Sequence, residues 1–416
     1  MDLLQELEVR GLIKDISNES EVRELLKTPQ TIYCGFDPSA SSMHIGNFVA
    51  ISLLMRFQQA GHKVIAVVGG ATGMIGDPSG KSSERNLQDK ETLAKNTAQI
   101  KAQLERFIDL SDPTKGEIVN NYDWQGQVTY LDFLRDYGRY FTINYMLAKD
   151  VVASRMDTGI SYTEFSYMIL QSVDFLHLHQ KYGVSMQVGG SDQWGNLTAG
   201  LDLIRKIEGP EAKVACLTNP LITKSDGKKF GKSESGALYL NPELTTPYQI
   251  YQYFINTSDE DSLRYLKVFT FLSLEEINKI SLDHLANPGA RIAQKTLAYE
   301  VVKTVHGEDE AKQAVKMSEV LFSGQVNELS KKAIEELFGG SLKESNADLL
   351  LEDALIHIGA AKSKREAREF ISGNSILVNG EKVNDLAFVI KKDDALHGKY
   401  TVIRRGKKNY YLIAHI

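Results

Sequence analysis

Cysteine is nearly absent from this 416-residue chain, which has only Cys34 and Cys216. Two thiols so far apart cannot staple a small secreted fold or supply the four Cys/His ligands of a structural zinc, and they suggest reduced cysteines in a cytoplasmic chain. Long hydrophobic runs are missing as well. The longest, Val64 to Gly76, is too short and too rich in glycine to cross a bilayer, which takes about 20 apolar residues. The opening MDLLQELEVRGLIKDI has acids among its apolar residues and no basic-then-apolar leader, so it reads as a surface helix and not as an export signal. There is no internal repeat and no low-complexity tract. Phosphate-loop chemistry is excluded too: Gly80-Lys81-Ser82 and Gly231-Lys232-Ser233 each need a glycine five residues before their own glycine, and those positions hold Ile75 and Asp226. Gly69 to Gly76 also lacks the spacing of a dinucleotide fingerprint.

What is present is an ordinary globular composition, 42% hydrophobic and 25% charged, long enough for two to four domains with cores of their own. Charge is unevenly spread. From Leu350 to Ile416 there are 12 Lys and Arg against 8 Asp and Glu, whereas the preceding residues carry 36 against 46. A basic tail on an acidic body fits a nucleic-acid-binding appendage, and equally an ordinary solvated surface.

The order of elements points to an α/β fold. TIYCGF (Thr31 to Phe36) reads as a buried strand, followed by a Pro38-Ser-Ala-Ser-Ser turn and the apolar run Ile45 to Phe57. KVIAVVGGATG (Lys63 to Gly73) repeats the strand, with a helical stretch from about Ser83 to Phe107 after it. VSMQVGGSDQWGN (Val184 to Asn196) opens another helix, and KVACLTNPLI (Lys213 to Ile222) is a further strand. Successive strand-helix units predict a Rossmann-like, doubly wound parallel sheet with right-handed crossovers, and residues 110–182 read as a helical insertion. The expected organisation is a Rossmann-like domain over 1–228 and a lysine-rich loop with an α-helical domain over 229–339. A polar junction, Gly340 to Asn346, then leads to a small α+β domain over 347–416, in which Asn379-Gly380 marks a hairpin.

Four clusters carry candidate chemistry. In CGFDPSASSMHIGN a loop meets a helix at His44-Ile-Gly46-Asn47, where free N–H groups favour an anion and His44 can donate to phosphate, although a lone histidine is more often structural. GGATGMIGDPSGKSSER is a glycine-rich turn that also brings Asp77, Lys81 and Arg85. On YMILQSVD, Tyr167, Gln171 and Asp174 stand at i, i+4 and i+7 and form one polar stripe, which either each other or a polar ligand must satisfy. TKSDGKKFGKSESGA puts lysines on a loop able to close over a polyphosphate, or merely to sit in solvent. Their order along one doubly wound chain favours a shared site, because ligands in such sheets bind beyond the carboxyl ends of the strands.

These motifs resemble a known family. His44-Ile-Gly46-Asn47 is similar to the HIGH signature, and Lys229-Phe-Gly-Lys232-Ser233 to the KMSKS signature, of class I aminoacyl-tRNA synthetases. YCGFDPSASSMHIGN, GGATGMIGDPSG, GGSDQWGN and KFGKS in this order closely resemble the bacterial tyrosyl-tRNA synthetases over essentially the whole chain, with a last domain like the RNA-binding domain of ribosomal small-subunit protein 4. The resemblance implies attack of L-tyrosine on the α-phosphate of ATP, giving tyrosyl-adenylate and pyrophosphate, and then transfer of tyrosyl to tyrosine tRNA. It gives His44, Lys81, Arg85, Lys229 and Lys232 the stabilisation of phosphate charge. Tyr33 and Asp174 would hold the substrate phenol, Asp77, Tyr167 and Gln171 its ammonium, and Gln193 its carboxyl region. Cys34, Ser39, Gly46, Asn47, Gly190, Asp192, Lys232 and Ser233 would lie along ATP, with Mg²⁺ arriving on ATP and no resident metal site. It further implies a cytoplasmic homodimer joined through the 110–182 insertion, whose aromatics Phe133, Tyr137, Tyr140, Phe141 and Tyr145 suit an interface or an internal core. This family is itself the established example of rejecting phenylalanine about 10⁵-fold without editing, so no editing segment is expected. The signature usually ends in histidine where Asn47 stands, and an amide can still donate to a ribose or phosphate oxygen. A tryptophan-specific relative, a cofactor nucleotidyltransferase of the same superfamily and a non-catalytic RNA-binding protein are the competing readings.

Overall fold

The computed structural model describes the chain except Ser82, Arg85, Lys228, Lys229, Glu234, Ser235, Lys407 and Lys408, and the side chains of Lys232, Ser233 and Phe322. It divides into two compact units, Met1–Thr246 with Tyr253–Val301, and Pro247–Gln252 with Val302–Ile416. Among the described residues no helix is long and apolar enough to cross a membrane.

The first unit is built on a six-stranded sheet. Its strands are β1 (Asp15–Ile16), β2 (Thr31–Phe36), β3 (Lys63–Val68), β4 (Gly116–Asn120), β5 (Val184–Gly190) and β6 (Ala215–Asn219), in the order β1-β6-β5-β2-β3-β4. All pairings are parallel except β1 with β6. β3 is a near-continuous run of Val, Ile and Ala, and β2, β5 and β6 are likewise buried along most of their length, as expected where both faces of a parallel sheet are covered. Tyr33 on β2 lies opposite Ile65 of β3 and Gln187 of β5.

Helix Tyr162–Tyr182 is started by Ser161, whose side chain accepts from Glu164 N, and stopped by Gly183 in the left-handed region (φ 66°). It packs beside helix Trp194–Glu208, and together they bury Val173, Phe175, Leu197 and Ile204 against Tyr33 and Ile65. Each large side chain so buried contributes about 1.5–3 kcal/mol, and truncating the fully buried Phe175 to alanine costs about 3–5 kcal/mol. The chain leaves β2 towards β3 and β5 towards β6, in opposite directions, so the carboxyl ends of adjacent β2 and β5 form a topological switch point.

The second unit is a five-stranded sheet with helices on both faces, its strands ordered Glu381–Lys382, Ile376–Val378, Tyr400–Arg405, Asn409–His415 and Leu342–Ser345. Alternation along the strands sends Ile403 and Ile413 to one face, under helices Leu351–His357 and Lys364–Ser372. Val402, Leu412 and Ala414 go to the other, against Met317, Val320, Ile334 and Phe338 of helices Glu308–Ser323 and Lys331–Phe338. The Asn379-Gly380 hairpin forms as expected, both residues having positive φ (48° and 89°).

The structure departs from the sequence reading in several places. The 110–182 segment is not wholly helical, since β4 lies within it and pairs with β3; GEIVN is a short, half-exposed edge strand with little hydrophobic signal. The helix expected from about Ser83 starts at Lys90, where Asp89 accepts from Thr92 N, and the strand expected over Lys213 to Ile222 covers only Ala215–Asn219. The opening helix, Leu3–Val9, is not merely superficial, because Leu4 and Leu7 are buried. The polar junction is a strand: Leu342–Ser345 pairs in parallel with Asn409–His415. Helices Glu308–Ser323 and Lys331–Phe338, expected to belong with the preceding helices, share a core with the final sheet.

Candidate active site

The site forms where β2, β3 and β5 end. A buried carboxylate, Asp174 on helix Tyr162–Tyr182, accepts from Asn121 Nδ2, Trp124 Nε1 and Gln125 Nε2, each at 2.8 Å. Burial outweighs these bonds and pushes its pKa up to about 7. Beside it lies Tyr33, 1% exposed, whose hydroxyl has no hydrogen-bond partner among the described residues; burial, and next the field of Asp174, push its pKa well above the usual phenol value. One turn and two turns back along the helix stand Gln171, whose buried amide oxygen is likewise without a partner, and Tyr167. Tyr167 Oη donates to Asp37 Oδ2 at 2.8 Å, Thr72 Oγ1 donates to Asp37 Oδ1 at 2.7 Å, and Asn121 Nδ2 reaches Thr72 Oγ1 at 2.9 Å. The glycine at 69 is required here, since a Cβ would lie 2.0 Å from Asp37 Oδ1.

Asp77, 8% exposed, continues the polar wall. It accepts from Ser79 N at 2.9 Å, Gln193 Nε2 at 2.5 Å and Asn196 Nδ2 at 3.4 Å, and its charge raises the pKa of Tyr167 after burial and Asp37 have done so. Asp192 stands next to it. Burial, then the charge of Asp77, raise the Asp192 pKa, while Lys81 opposes them. His44 Nδ1 accepts from Gly46 N at 3.1 Å, which leaves Nε2 as the donor on a ring whose pKa is lowered by burial and by Lys81. Asn47 Oδ1 accepts from His44 N at 3.0 Å, so the amide nitrogen is the part of that side chain left to donate. Beside these, Asp37, Ser39, Gly76 and Lys81 line a cleft of about 230 Å³.

The structure therefore joins Tyr33, Asp174, Tyr167, Asp77, Gln193, Asp192, Lys81 and His44 in one continuous chain of bonds and fields, with Gln171 on the same helix stripe. Gly46 and Gly190 sit in the same loops as His44 and Asp192. Cys34 is given no hydrogen bond to any of them. Its thiol is buried, on the opposite face of the sheet from Tyr33, and its contact is the Gly35 carbonyl at 3.7 Å. Arg85 and Lys229 lie outside the described residues; Lys232 and Ser233 form a two-residue strand with Gly236–Ala237, their side chains likewise outside them. The loop's exit is sewn to the His44 loop: Ile45 N donates to Leu238 O and Leu240 N to Met43 O, both at 2.8 Å.

Sequence reasoning missed Asp37, Thr72, Asn121, Trp124, Gln125 and Asn196. Asp37 sits inside a motif already singled out, and its charge was a usable signal. Asn121 to Gln125 belong to a segment with no motif, and only the pairing of β4 with β3 brings them to Asp174.

A phenol hydroxyl, a carboxylate and amides buried together, with further acids beside them, suit both ends of a small amphiphilic cation. The neighbouring histidine, lysine and loop N–H groups suit an anion. Comparison with known proteins identifies the family. A family model described as tRNA synthetases class I (W and Y) matches residues 25–323, and one described as the tyrosine–tRNA ligase SYY-like C-terminal domain matches 333–413. The tyrosine–tRNA ligases of Bacillus caldotenax and Geobacillus stearothermophilus are 53% and 52% identical over 419 aligned residues that cover all of both chains. A C-terminally truncated mitochondrial tyrosyl-tRNA synthetase of Aspergillus nidulans superposes with a TM-score of 0.70 at 32% identity, covering 77% of this chain and 94% of its own. With its sequence matched from end to end, the chain belongs to the tyrosine–tRNA ligases of the class I tRNA synthetases.

Proposed function

We propose that the pocket binds L-tyrosine with its phenol hydroxyl between Tyr33 and Asp174 and its ammonium against Asp77, Tyr167 and Gln171, leaving its carboxylate near Gln193 and facing ATP. A tyrosine carboxylate oxygen attacks the α-phosphorus, the bond to the β-phosphate oxygen breaks, and pyrophosphate leaves with that electron pair. The terminal ribose hydroxyl of tyrosine tRNA then attacks the mixed anhydride, giving tyrosyl-tRNA and AMP. No protein nucleophile is needed. His44, Lys81, Arg85, Lys229 and Lys232 supply positive charge and donors where phosphate charge grows, with Ser39, Gly46, Asn47, Gly190, Asp192 and Ser233 along the nucleotide. Cys34 would meet the nucleotide from the other face of β2. Magnesium comes bound to ATP phosphates, retaining phosphate and water oxygens as ligands, and is part of the substrate.

The observation that carries this reading is the Tyr33 hydroxyl, buried without a partner among the described residues beside an Asp174 carboxylate held by three donors. Such a pair selects a ligand that brings its own hydroxyl, because a ligand lacking one leaves buried polar groups unpaired. Asp174→Ala is expected to weaken tyrosine use far more than ATP use in steady-state activation; equal loss of both would contradict the assignment.

The proposed cytoplasmic enzyme is a homodimer joined through the 110–182 segment. Phe133, Tyr137, Tyr140 and Tyr145 are partly buried against the unit's own core and Phe141 is buried in it, so they are not the exposed surface. Tyr122, Tyr130, Leu131, Leu134, Ile143, Met156 and Tyr162 are exposed there instead, and so many exposed large apolar side chains in one segment suit an interface. Sedimentation of Tyr130→Lys/Leu131→Lys as a monomer, against a dimeric parent, is the expected result, and an unchanged dimer would place the interface elsewhere.

A further inference from the structure

We infer that Phe230 is a positioning residue for the activation step, seated in an aromatic socket that sets where the neighbouring loop lysines stand. Phe230 is the apolar side chain of Lys229-Phe230-Gly231-Lys232-Ser233. Its ring stacks on Phe269 (centroids 4.8 Å apart, planes at 21°), meets Tyr265 and Tyr253 edge-on at 5.1 and 5.7 Å, and lies 6.0 Å from Phe254. Four rings around one is more than a loop in solvent needs, and offset and edge contacts of this kind fix ring orientation as well as burial.

The backbone is held at the same point. Gly231 N donates to Tyr253 Oη at 3.0 Å, and Leu238 N returns to Gly231 O at 3.0 Å. Gly231 has φ 75°, and a Cβ there would come 2.8 Å from Ile45 Cγ2, so the turn after Phe230 runs directly over the His44 loop. Upstream, helix Asp259–Phe269 grips the start of the loop: Ser225 N donates to the buried Asp261 carboxylate at 3.1 and 3.2 Å, and Thr223 O accepts from Tyr265 Oη at 3.0 Å and from Arg264. Tyr265 and Phe269 of that helix thus serve both the loop's start and its centre. The loop is thus held at its start, at Phe230 and at the turn that follows.

The inference rests on the proposed role of the loop lysines as phosphate contacts. Loss of the seat leaves the tyrosine pocket intact and misplaces charge at the reacting phosphate, where a displacement of about 1 Å costs roughly 100-fold. In the full chain, Phe230→Ala is expected to bind tyrosine without ATP within about twofold of the parent, while single-turnover adenylate formation at saturating substrates slows roughly 10- to 100-fold. Phe230→Leu, which refills the socket, is expected to recover most of that rate. Phe269→Leu loosens the socket from the opposite side and serves if the alanine variant does not fold. Trypsin cleavage after the lysines around Phe230, read on the folded protein without substrates, is expected to accelerate in Phe230→Ala. Unchanged adenylate formation, a parallel fall in tyrosine affinity and rate, or no advantage of leucine over alanine would overturn the inference. Since the trypsin readout needs no catalysis, a parent protein that fails to activate tyrosine would overturn the proposed function alone, and unchanged cleavage in Phe230→Ala would then still overturn the socket.

Discussion

Tyr33→Phe separates folding from recognition at one atom. The hydroxyl is buried with no partner among the described residues, and an unsatisfied buried hydroxyl costs about 1–3 kcal/mol. Removing the oxygen while keeping the ring, which packs 5.4 Å from Phe175, returns that cost and creates almost no cavity. The variant should therefore be more stable by about 1 kcal/mol or more, a rise of roughly 2 °C in melting temperature for a unit of this size. Recognition should move the other way. With tyrosine bound, the hydroxyl gains its partner, and a hydrogen bond between uncharged groups is worth about 0.5–1.5 kcal/mol, or roughly 2- to 12-fold in relative use of tyrosine over phenylalanine. Thermal unfolding and pyrophosphate exchange with each amino acid would measure the two effects on one preparation. A melting temperature lowered by several degrees, or unchanged discrimination, would refute the reasoning, the first by showing a satisfied hydroxyl and the second by showing one that does not face the ligand.

The raised Asp174 pKa has two consequences of opposite sign. Its folded value of about 7 exceeds the ordinary 3.8, so its contribution to stability is complete below pH 4 and is lost as pH rises through 7, costing of order 4 kcal/mol above that; Asp174→Asn should flatten this slope in denaturant titrations at several pH values. Tyrosine binding needs the ionised acceptor, so affinity measured by equilibrium dialysis should be level above pH 7 and fall about tenfold per unit below it, whereas a level profile down to pH 5 would contradict the assigned role. Lys232→Ala should slow single-turnover adenylate formation and leave tyrosine affinity nearly intact; an unchanged rate would remove Lys232 from the phosphate contacts. A chain ending near Gly340 should still exchange pyrophosphate with tyrosine but charge tRNA poorly. Because it uncovers Ile334 and Phe338, it should also bind a hydrophobic dye, and normal charging by that fragment would exclude the final sheet from RNA binding.

Much of the site was legible because it lies in short segments where chemistry and backbone geometry coincide. The strand TIYCGF, the loop around His44 and the helix stripe Tyr167, Gln171 and Asp174 carry their own spacing, and the switch point follows from strand-helix order. What was not legible depends on pairings distant in sequence. Nothing in GEIVN says that it will lie beside Lys63–Val68, yet that pairing delivers Asn121, Trp124 and Gln125 to Asp174. LKES was read as a linker for the same reason, since a polar edge strand acquires its identity from Asn409–His415. Aromatics in the insertion could serve a core or a surface, and only packing shows that Phe141 turns inward while Tyr130 turns out. The match to tyrosine–tRNA ligases over the whole chain removes the cofactor nucleotidyltransferase from the competing readings.

The central claim is that the buried pair Tyr33 and Asp174 makes this a tyrosine-activating enzyme. The most direct measurement is exchange of labelled pyrophosphate into ATP by the purified protein, with each standard amino acid in turn and no tRNA. Exchange with tyrosine alone is the predicted result. Exchange with tryptophan or phenylalanine at comparable rates, or with no amino acid at all, would contradict it.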